Sequence, residues 1–260
     1  MPRVRPTETG TVPSAGRAPE QIFDRDAVDV GGPCHNGRMS VESPLDPSVV
    51  RWSVPPEERG GRPVLLLLHG YGSDEHDMFG LVPYLPEAFV IASLRAPLSP
   101  PWPMPGASWY PIEGLDGRDP DAVTRAAEAV LAWIRDAVGD APVGLLGFSQ
   151  GGAVALQTLR ADPDAVQFAV VLAGYAAGGE LPGDAVLGER RPPVFWGRGA
   201  ADDVIPTPLV DATSQWLPAH SDLRGRVYPG LTHSISQDEL DDVRAFLDER
   251  LADRAGTDAS

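Results

Sequence analysis

Short hydrophobic runs alternate along the chain with longer stretches in which apolar residues recur every three or four positions. The run Pro63–Leu68 (PVLLLL) contains no charged or hydrogen-bonding side chain, which is typical of a strand covered on both faces. Further strands are predicted at Val49–Val54, Phe89–Ala92, Val143–Leu146, Phe168–Ala173, Pro193–Trp196 and Arg224–Tyr228. The pattern therefore favours a sheet that is largely buried.

Amphipathic stretches lie between these strands. The clearest predicts a helix that begins at Asp119-Pro120, with proline in its first turn, and ends near Gly139. A capping-box pattern, Ser236 followed by Glu239, opens the last helix. The remaining helices are predicted at Asp77–Leu85, Gly152–Arg160 and Thr207–Pro218. Because strands and helices alternate, the sequence predicts an α/β fold, a mainly parallel central sheet with helices on both faces.

Two connections are predicted to contain no helix. Ser93–Pro120 holds seven prolines, and proline inside a helix removes a hydrogen bond and clashes with the preceding turn. The stretch between the strands at Phe168–Ala173 and Pro193–Trp196 is rich in glycine and is predicted to be a loop.

The hydrophobic pattern covers only part of the 260 residues. Residues 1–40 are rich in proline, glycine and charge and show no periodicity, so we expect a disordered N-terminal extension, with Met39 as an alternative start. Residues 41–253 have the length and apolar content of a single domain. Residues 254–260 are expected to form a flexible tail.

The composition narrows the cellular setting. No apolar run reaches the roughly 18 residues of a membrane-spanning helix, and no signal-peptide pattern opens the chain. We therefore expect a cytoplasmic protein with no integral membrane association. The single cysteine, Cys34, cannot form an intrachain disulfide, and its Gly/Pro-rich surroundings provide no element that would hold it as a nucleophile.

The charges exclude several kinds of chemistry. All 21 basic residues are arginine, which removes the Walker A lysine, the kinase lysine and Schiff-base catalysis. The net charge of −16 argues against nucleic acid as a partner, because nucleic-acid binding depends on clustered positive charge. A small neutral molecule such as an ester or thioester meets no such repulsion.

The pentapeptide GFSQG at 147–151 joins the strand Val143–Leu146 to the following helix. This is the GxSxG pattern of a nucleophile elbow, in which a strained turn lifts the serine hydroxyl above the sheet edge. The glycines stand where strand and helix pack too closely for side chains. The alternative is an ordinary glycine-rich strand-to-helix turn, and the pentapeptide alone does not separate the two. If the elbow is present, Ser149 is the nucleophile.

A serine nucleophile needs a base and an orienting carboxylate. The elbow pattern goes with the chain order Ser, acid, His, which excludes His35, His69 and His76. His233 lies in the loop between the last strand and the last helix, at the carboxyl end of the sheet where functional loops lie. His220 lies at the polar end of a predicted helix. We therefore expect His233 to be the base.

Asp202 and Asp203 both follow the strand that ends at Trp196. Spacing alone leaves both as candidates. One of them can cap the local backbone while the other holds the imidazole.

The turn His69-Gly70-Tyr71-Gly72 follows the PVLLLL strand. Attack on an ester carbonyl creates an oxyanion, for which backbone amides are suitable donors. We expect the N–H groups of Tyr71 and Gln150 to donate to it, and the His69 side chain to be structural.

A metal ion and a dinucleotide are the alternative ligands for these glycine-rich turns. The nearby His69, Asp74, His76 and Asp77 could bind a metal, but their spacing does not match HExxH. Neither glycine-rich turn contains the GxGxxG of a dinucleotide site. No metal and no cofactor are therefore expected.

With these residues placed, the chain from about 50 to 250 resembles the α/β-hydrolase superfamily, most closely its carboxylesterase/phospholipase group, which includes acyl-protein thioesterases. The resemblance rests on LLLLHGYGSDEHD at 65–77, SWYPI at 108–112, GFSQGG at 147–152, GRGAADDVIP at 197–206 and YPGLTHSI at 228–235. It implies the α/β-hydrolase fold and a cofactor-free serine esterase with the triad Ser149, Asp202 and His233. The apolar pair and proline that follow Asp202 favour it over Asp203. Trp102 and Trp109 become candidate walls of the substrate pocket, with loop packing as the alternative for each.

The chain departs from the family pattern at two places. Pro111 follows Trp109-Tyr110 where the family often has aspartate, and Tyr71 stands where it often has leucine. Both residues could reshape the pocket, so mechanism carries over more safely than substrate preference.

The sequence thus predicts a serine hydrolase that cleaves carboxylic esters through an acyl-serine intermediate, with thioesters and lysophospholipids as further candidate substrates. A noncatalytic binding protein on a hydrolase scaffold is the alternative from another class. Among enzymes, a dienelactone-hydrolase-like activity is a rival, although its nucleophile is a thiol where this chain has serine, and a peptidase is a weaker rival. Oligomeric state stays open.

Overall fold

The computed structural model describes residues 45–112 and 118–258. The predictions for residues 1–40, including the alternative start at Met39 and the environment of Cys34, fall outside these ranges. Within them, no helix is long and apolar enough to cross a membrane.

The described residues form a seven-stranded sheet with the order β1-β3-β2-β4-β5-β6-β7. Its first strand pairs antiparallel with β3, and all the other neighbours are parallel. The strands are β1 (Arg51–Trp52), β2 (Val64–Leu68), β3 (Val90–Leu94), β4 (Val143–Phe148), β5 (Phe168–Leu172), β6 (Pro193–Gly199) and β7 (Asp222–Tyr228). The predicted mainly parallel sheet is confirmed.

Six α-helices of the described residues flank this sheet. They are α1 (Glu75–Phe79), α2 (Pro120–Ala137), α3 (Gln150–Ala161), α4 (Pro182–Arg190), α5 (Thr207–His220) and α6 (Gln237–Asp258). One core contains the apolar faces of α2 and α3 against alternate residues of the strands, such as Leu66. The opposite core contains Leu65 and Leu67 together with Met78 of α1 and Phe246 of α6. The helices therefore cover both faces, which explains why β2 is apolar at every position.

The glycine-rich stretch after β5 was predicted to be a loop, and this prediction is wrong because it contains α4. Proline occupies the first turn of this helix, and the side chain of Asp184 accepts a hydrogen bond from the N–H of Leu181 (2.9 Å). Gly183 is used for close packing, since a Cβ at this position would come within 2.0 Å of the Arg160 carbonyl oxygen. Only Leu187 supplies a buried large apolar side chain, so the helix has almost no hydrophobic periodicity to read.

A buried guanidinium joins α4 to α3. Arg160 is 1% exposed and makes a two-pronged ion pair with Asp184, at 2.8 Å from Nε and 2.7 Å from Nη2. Its other three protons go to the carbonyl oxygens of Ala177 (2.6 Å) and Gly179 (2.8 Å) and to Gln157 Oε1 (3.0 Å). Planar donors in this arrangement satisfy a carboxylate and two carbonyls at once. This long-range contact holds the segment between β5 and α4.

The C-terminal helix runs further than predicted. A tail was expected from residue 254, but α6 continues through Asp258. At its start, Ser236 Oγ accepts a hydrogen bond from the N–H of Glu239 (3.2 Å), which is one half of the predicted capping box.

The carboxyl group of Glu239 lies buried between α6 and β6. The residue is 1% exposed, and its Oε1 has no hydrogen-bond partner among the described residues. A Cβ at Gly197 would come within 2.2 Å of this oxygen, so the glycine provides the space that the carboxyl group occupies. Burial, with a smaller contribution from the negative charge of Asp242, raises the pKa of Glu239 to about 7.

This buried acid makes a specific contribution to the pH dependence of stability. Because the folded-state pKa lies above the unfolded value, the folded protein loses free energy of unfolding as pH rises from about 4.5 to about 7. We expect Glu239→Gln to match the wild type near pH 4.5 and to be more stable at pH 8, by up to about 3 kcal/mol. Urea unfolding at both pH values measures the difference. Asp238→Asn, an exposed change of the same charge in the same turn, should leave the pH dependence unaltered, and equal pH profiles for wild type and Glu239→Gln would contradict the assignment.

Candidate active site

Ser149 stands at the turn between β4 and α3 in a backbone conformation that side chains rarely adopt, with φ 54° and ψ −116°. Its N–H donates to the Leu172 carbonyl at the end of β5 (2.8 Å), and its own carbonyl accepts the N–H of Ala153 to begin the helix (3.1 Å). A non-glycine residue at positive φ is strained and needs surrounding structure to hold it. The strain here lies at the serine of the GxSxG sequence.

The two glycines around the serine permit this turn. A Cβ at Gly147 would lie 2.2 Å from the Gly151 carbonyl oxygen, and one at Gly151 would lie 2.1 Å from the carbonyl oxygen of Leu68. Both distances are far below van der Waals contact. The elbow can therefore form only because these positions carry no side chain.

The structure brings the three residues proposed from the sequence into one chain of hydrogen bonds. His233 Nε2 lies 2.9 Å from Ser149 Oγ, and His233 Nδ1 lies 2.8 Å from Asp202 Oδ2. With Nδ1–H donating to the carboxylate, Nε2 is left to accept the serine proton. The side chains of His233 and Asp202 are 16% and 6% exposed, so solvent reaches only a small part of this hydrogen-bonded series.

Asp202 both caps the local backbone and contacts the imidazole, two tasks that the sequence analysis assigned to different aspartates. Its Oδ1 accepts the N–H groups of Val204 (2.9 Å) and Ile205 (3.2 Å), while Oδ2 faces the imidazole of His233. Burial opposes ionisation of Asp202, but these hydrogen bonds outweigh it and lower the pKa of its carboxyl group. Asp203 is exposed.

Backbone contacts hold the two loops of Asp202 and His233 together. The N–H of Ala201 donates to the carbonyl of Leu231 (2.9 Å), and a Cβ at Gly199 would come within 2.0 Å of the same oxygen. The imidazole also packs on the ring of Phe148, with centroids 5.0 Å apart. His220, the other histidine weighed from the sequence, stacks on Trp216 at the end of α5, with centroids 4.1 Å apart.

The loop after β2 passes directly over the serine. A Cβ at Gly70 would come within 3.5 Å of Ser149 Cβ, so the Gly70–Tyr71 backbone is adjacent to the elbow. Among the described residues, the N–H groups of Tyr71 and Gln150 have no hydrogen-bond acceptor. Within the described part of the chain, two N–H groups without an acceptor thus belong to residues next to Ser149 and next to Gly70.

His69 has a structural role. Its Nδ1 donates to the Gly70 carbonyl (2.7 Å), and its Nε2 accepts the N–H of Ala96 (3.0 Å). Burial lowers the pKa of His69, so the ring is neutral, as these two hydrogen bonds require.

The acidic cluster beside this loop is used in protein contacts. Candidate ligand atoms of Asp74, Glu75 and His76 lie within 4.8 Å of one another. However, Asp74 caps α1 by accepting the N–H of His76 (2.9 Å), and Glu75 pairs with Arg95 (2.9 Å). The absence of a metal site stays an expectation from the sequence.

The two tryptophans proposed as pocket walls occupy very different positions. Trp109 is 2% exposed, and its indole N–H donates to the His69 carbonyl (2.9 Å). Trp102 is 93% exposed, on the loop whose Met104 sulfur would lie 2.9 Å from a Cβ at Gly72. Trp109 therefore packs against the loop after β2, and Trp102 projects into solvent from the connection between β3 and α2.

Sequence reasoning missed two side chains that support the site. Phe148 packs against the His233 ring, whereas the sequence pattern marks it only as a variable position of the GxSxG elbow. Gln150 was considered for its backbone, yet its side chain is 2% exposed and hydrogen-bonded to the backbone of residues 109–110. The available signal was a polar residue in the otherwise small and apolar start of α3.

Comparison with known proteins adds independent information. The sequence model of the phospholipase/carboxylesterase family matches residues 52–251. A probable carboxylesterase of Oryza sativa subsp. japonica is 31% identical over 155 residues, which cover 55% of this chain and 58% of that protein. Acyl-protein thioesterase 1 of Saccharomyces cerevisiae is 27% identical over 218 residues, 74% of this chain and 94% of the yeast protein. The crystal structure of esterase PE8 is 28% identical with a TM-score of 0.61, covering 73% of this chain and 93% of that one.

The close packing at the elbow predicts that a single added methyl group destabilises the fold. We expect Gly147→Ala to lower the free energy of unfolding by at least about 2 kcal/mol, because the new Cβ overlaps the Gly151 backbone. Gly188→Ala is the control, since Gly188 lies within α4 with its nearest neighbour 4.0 Å from a Cβ, and alanine should stabilise that helix by about 0.5–1 kcal/mol. Urea unfolding measures both, and a Gly147→Ala variant as stable as the wild type would refute the steric argument.

Proposed function

The chain belongs to the phospholipase/carboxylesterase family, and on this premise we propose that it hydrolyses carboxylic esters through an acyl intermediate on Ser149. The predicted α/β-hydrolase fold is confirmed by its structural neighbours, and its relatives place it among ester-cleaving hydrolases. The observation that carries the finer proposal is the hydrogen-bonded series from Ser149 Oγ through His233 to Asp202.

In the acylation step, the Ser149 hydroxyl attacks the carbonyl carbon of the ester. Its proton moves to His233 Nε2, which lies 2.9 Å from the oxygen. The imidazole becomes positively charged, and the ionised carboxylate of Asp202 stabilises that charge and keeps the ring oriented. Asp202 itself takes up no proton.

The carbonyl oxygen becomes an oxyanion as the serine adds. We propose that the free N–H groups of Tyr71 and Gln150 donate to it. Gln150 is the first residue of α3, so the positive end of the helix dipole adds to this stabilisation. Backbone donors fixed before the reaction need no reorganisation as the charge develops.

Collapse of the tetrahedral intermediate returns the proton from His233 to the leaving alcohol or thiol and leaves the acyl group on Ser149. Water then attacks the acyl-serine, with His233 accepting a proton from the water molecule. The carboxylic acid departs, and the serine regains its proton. The same steps apply to an ester and to a thioester.

We propose small neutral acyl substrates, with thioesters and lysophospholipids as candidates beside simple esters. The net charge of −16 disfavours polyanionic ligands. A relative in yeast carries the name acyl-protein thioesterase, which supports testing thioesters. Of the two tryptophans, the exposed Trp102 is the one we propose to contact the substrate.

The nucleophile is tested by removing its hydroxyl group. We expect Ser149→Ala to lose at least ~10⁴-fold in kcat on a short-chain p-nitrophenyl ester, since the covalent route is gone. A fluorophosphonate probe should label the wild type once per chain and leave the variant unlabelled. Circular dichroism of the variant controls for folding. Turnover close to the wild-type rate would refute the acyl-serine mechanism, and an unlabelled wild type would favour a binding protein on a hydrolase scaffold.

The orienting carboxylate is tested by two matched substitutions. Asp202→Asn keeps the shape but no longer stabilises the imidazolium, so kcat should fall by about 10³–10⁴-fold. Asp203→Asn makes the same change of charge one residue away at an exposed position, and kcat should change by less than ~3-fold. Steady-state kinetics on the same ester decide between them. A larger loss at Asp203 would reassign the role.

A further inference from the structure

The segment 107–110 contacts both of the loops that carry the proposed oxyanion donors. Toward the loop after β2, the N–H of Gly72 donates to the Ala107 carbonyl (2.9 Å), and the N–H of Ala107 donates to the Ser73 carbonyl (2.8 Å). Gly106, at φ +76°, makes this approach possible, because a Cβ there would lie 2.3 Å from the Gly72 oxygen. One end of the segment is therefore fixed to the turn that contains Tyr71.

The other end of the segment is fixed to the elbow by a side chain. Gln150 Oε1 accepts the N–H of Trp109 (2.9 Å), and its Nε2 donates to the carbonyl of Tyr110 (2.7 Å) and to Ser108 Oγ (3.2 Å). Both Gln150 and Trp109 are 2% exposed, so water does not compete for these bonds. The amide pairs with the segment as a neighbouring strand would.

A third contact crosses between the two ends. The indole N–H of Trp109 donates to the carbonyl of His69 (2.9 Å), and the two rings lie 5.5 Å apart. The imidazole of His69 is itself held by the backbone at both ring nitrogens. Trp109 thus connects the elbow to the residue that starts the turn His69-Gly70-Tyr71.

From these contacts we infer that residues 107–110 form a brace that sets the separation of the Tyr71 and Gln150 N–H groups, and that the side chain of Gln150 is a positioning residue for the oxyanion. The inference rests on the proposed function. The two donors lie beyond the paired ends of β2 and β4, where Leu68 is opposite Gly147. This pairing fixes the strand ends, and the brace fixes the turn that contains Tyr71 relative to the Gln150 side chain. A donor stabilises the oxyanion only when it lies close to 2.7–3.1 Å from the oxygen, so a small shift of either loop reduces the rate.

The test replaces the amide while keeping the backbone donor of Gln150. Gln150→Met removes all the side-chain hydrogen bonds. We expect kcat on the short-chain ester to fall by about 10–100-fold while KM changes by less than ~3-fold. The Ki of a trifluoromethyl ketone, which adds to serine and forms an oxyanion, should rise by the same factor as kcat falls. The affinity for an ether analogue of the substrate, which forms no oxyanion, should stay unchanged.

Gln150→Glu adds a readout that a purely structural role would not give. An ionised carboxylate cannot donate to the Tyr110 carbonyl, whereas a protonated one can. The ratio of variant to wild-type kcat should therefore rise as pH falls, each pair being measured at the same pH. A ratio that does not vary with pH would count against the donor role of Nε2.

Gln157→Met is the matched control, because Gln157 is an equally buried glutamine of α3 whose amide donates to Thr124 Oγ1 (2.7 Å) and accepts from Arg160 (3.0 Å). It should lower the free energy of unfolding in urea by a comparable amount and leave kcat within ~3-fold of the wild type.

Trp109→Phe keeps an aromatic ring but removes the N–H that donates to His69. This variant tests the brace if the Gln150 variants do not fold. It should show the same loss in kcat and in ketone affinity.

The outcomes separate this inference from the function on which it rests. An active wild type whose folded Gln150 and Trp109 variants keep its kcat would overturn the brace alone. A fall in kcat accompanied by an equal-fold rise in KM and an equal-fold loss of ether affinity would also overturn it, since these changes together indicate a general structural role. A wild type that neither turns over the ester nor reacts with the fluorophosphonate would overturn the proposed function itself.

Discussion

The backbone of Gly151 lies so close to the end of β2 that a single methyl group would meet the Leu68 carbonyl oxygen at 2.1 Å. This contact brings the start of α3 against the neighbouring strand and leaves Ser149 at a positive φ between them. The loop after β2 lies against the serine, since a Cβ at Gly70 would come within 3.5 Å of Ser149 Cβ. The geometry of the site thus begins with a close approach of two backbones that only glycine allows.

The rest of the site follows from the strand order. Parallel strands present their carboxyl ends at one edge of the sheet, so the loops after β6 and β7 reach the same edge as the elbow. The hydrogen bond from the Ala201 N–H to the Leu231 carbonyl joins those two loops. Asp202 uses one oxygen to order its own loop and the other to orient His233, so a single carboxylate links the fold of the loop to the chemistry of the imidazole.

Buried polar groups in this protein behave in different ways. The guanidinium of Arg160 and the amide of Gln150 are satisfied by neighbours distant in sequence and hold those neighbours in place. Within residues 45–112 and 118–258, one carboxyl oxygen of Glu239 has no hydrogen-bond partner, and burial raises the pKa of this group. Satisfied groups add rigidity, whereas an unpartnered acid makes stability depend on pH.

The sequence by itself determined the sheet, most of the helices, the elbow pattern and the order of serine, acid and histidine. These features depend on hydrophobic period, on glycine at fixed positions and on chain order, all of which are local or can be counted along the chain. The helix α4 was missed because its one large buried apolar side chain is Leu187, while its ion pair is with Arg160, more than twenty residues earlier. The extent of α6 was likewise missed.

Only the tertiary structure showed which oxygens and nitrogens meet. Spacing left Asp202 and Asp203 equivalent, because a turn can direct either side chain toward a histidine about 30 residues away. The family resemblance favoured Asp202, and in the folded protein His233 faces Asp202. Trp102 and Trp109, seven residues apart, resembled one another in sequence, yet one is almost fully exposed and the other is buried beneath the loop after β2. The contacts of the Gln150 side chain could not be read from the sequence either, because its partners come from a separate loop. Such contacts depend on the crossing of distant segments, which is decided by packing and not by local pattern.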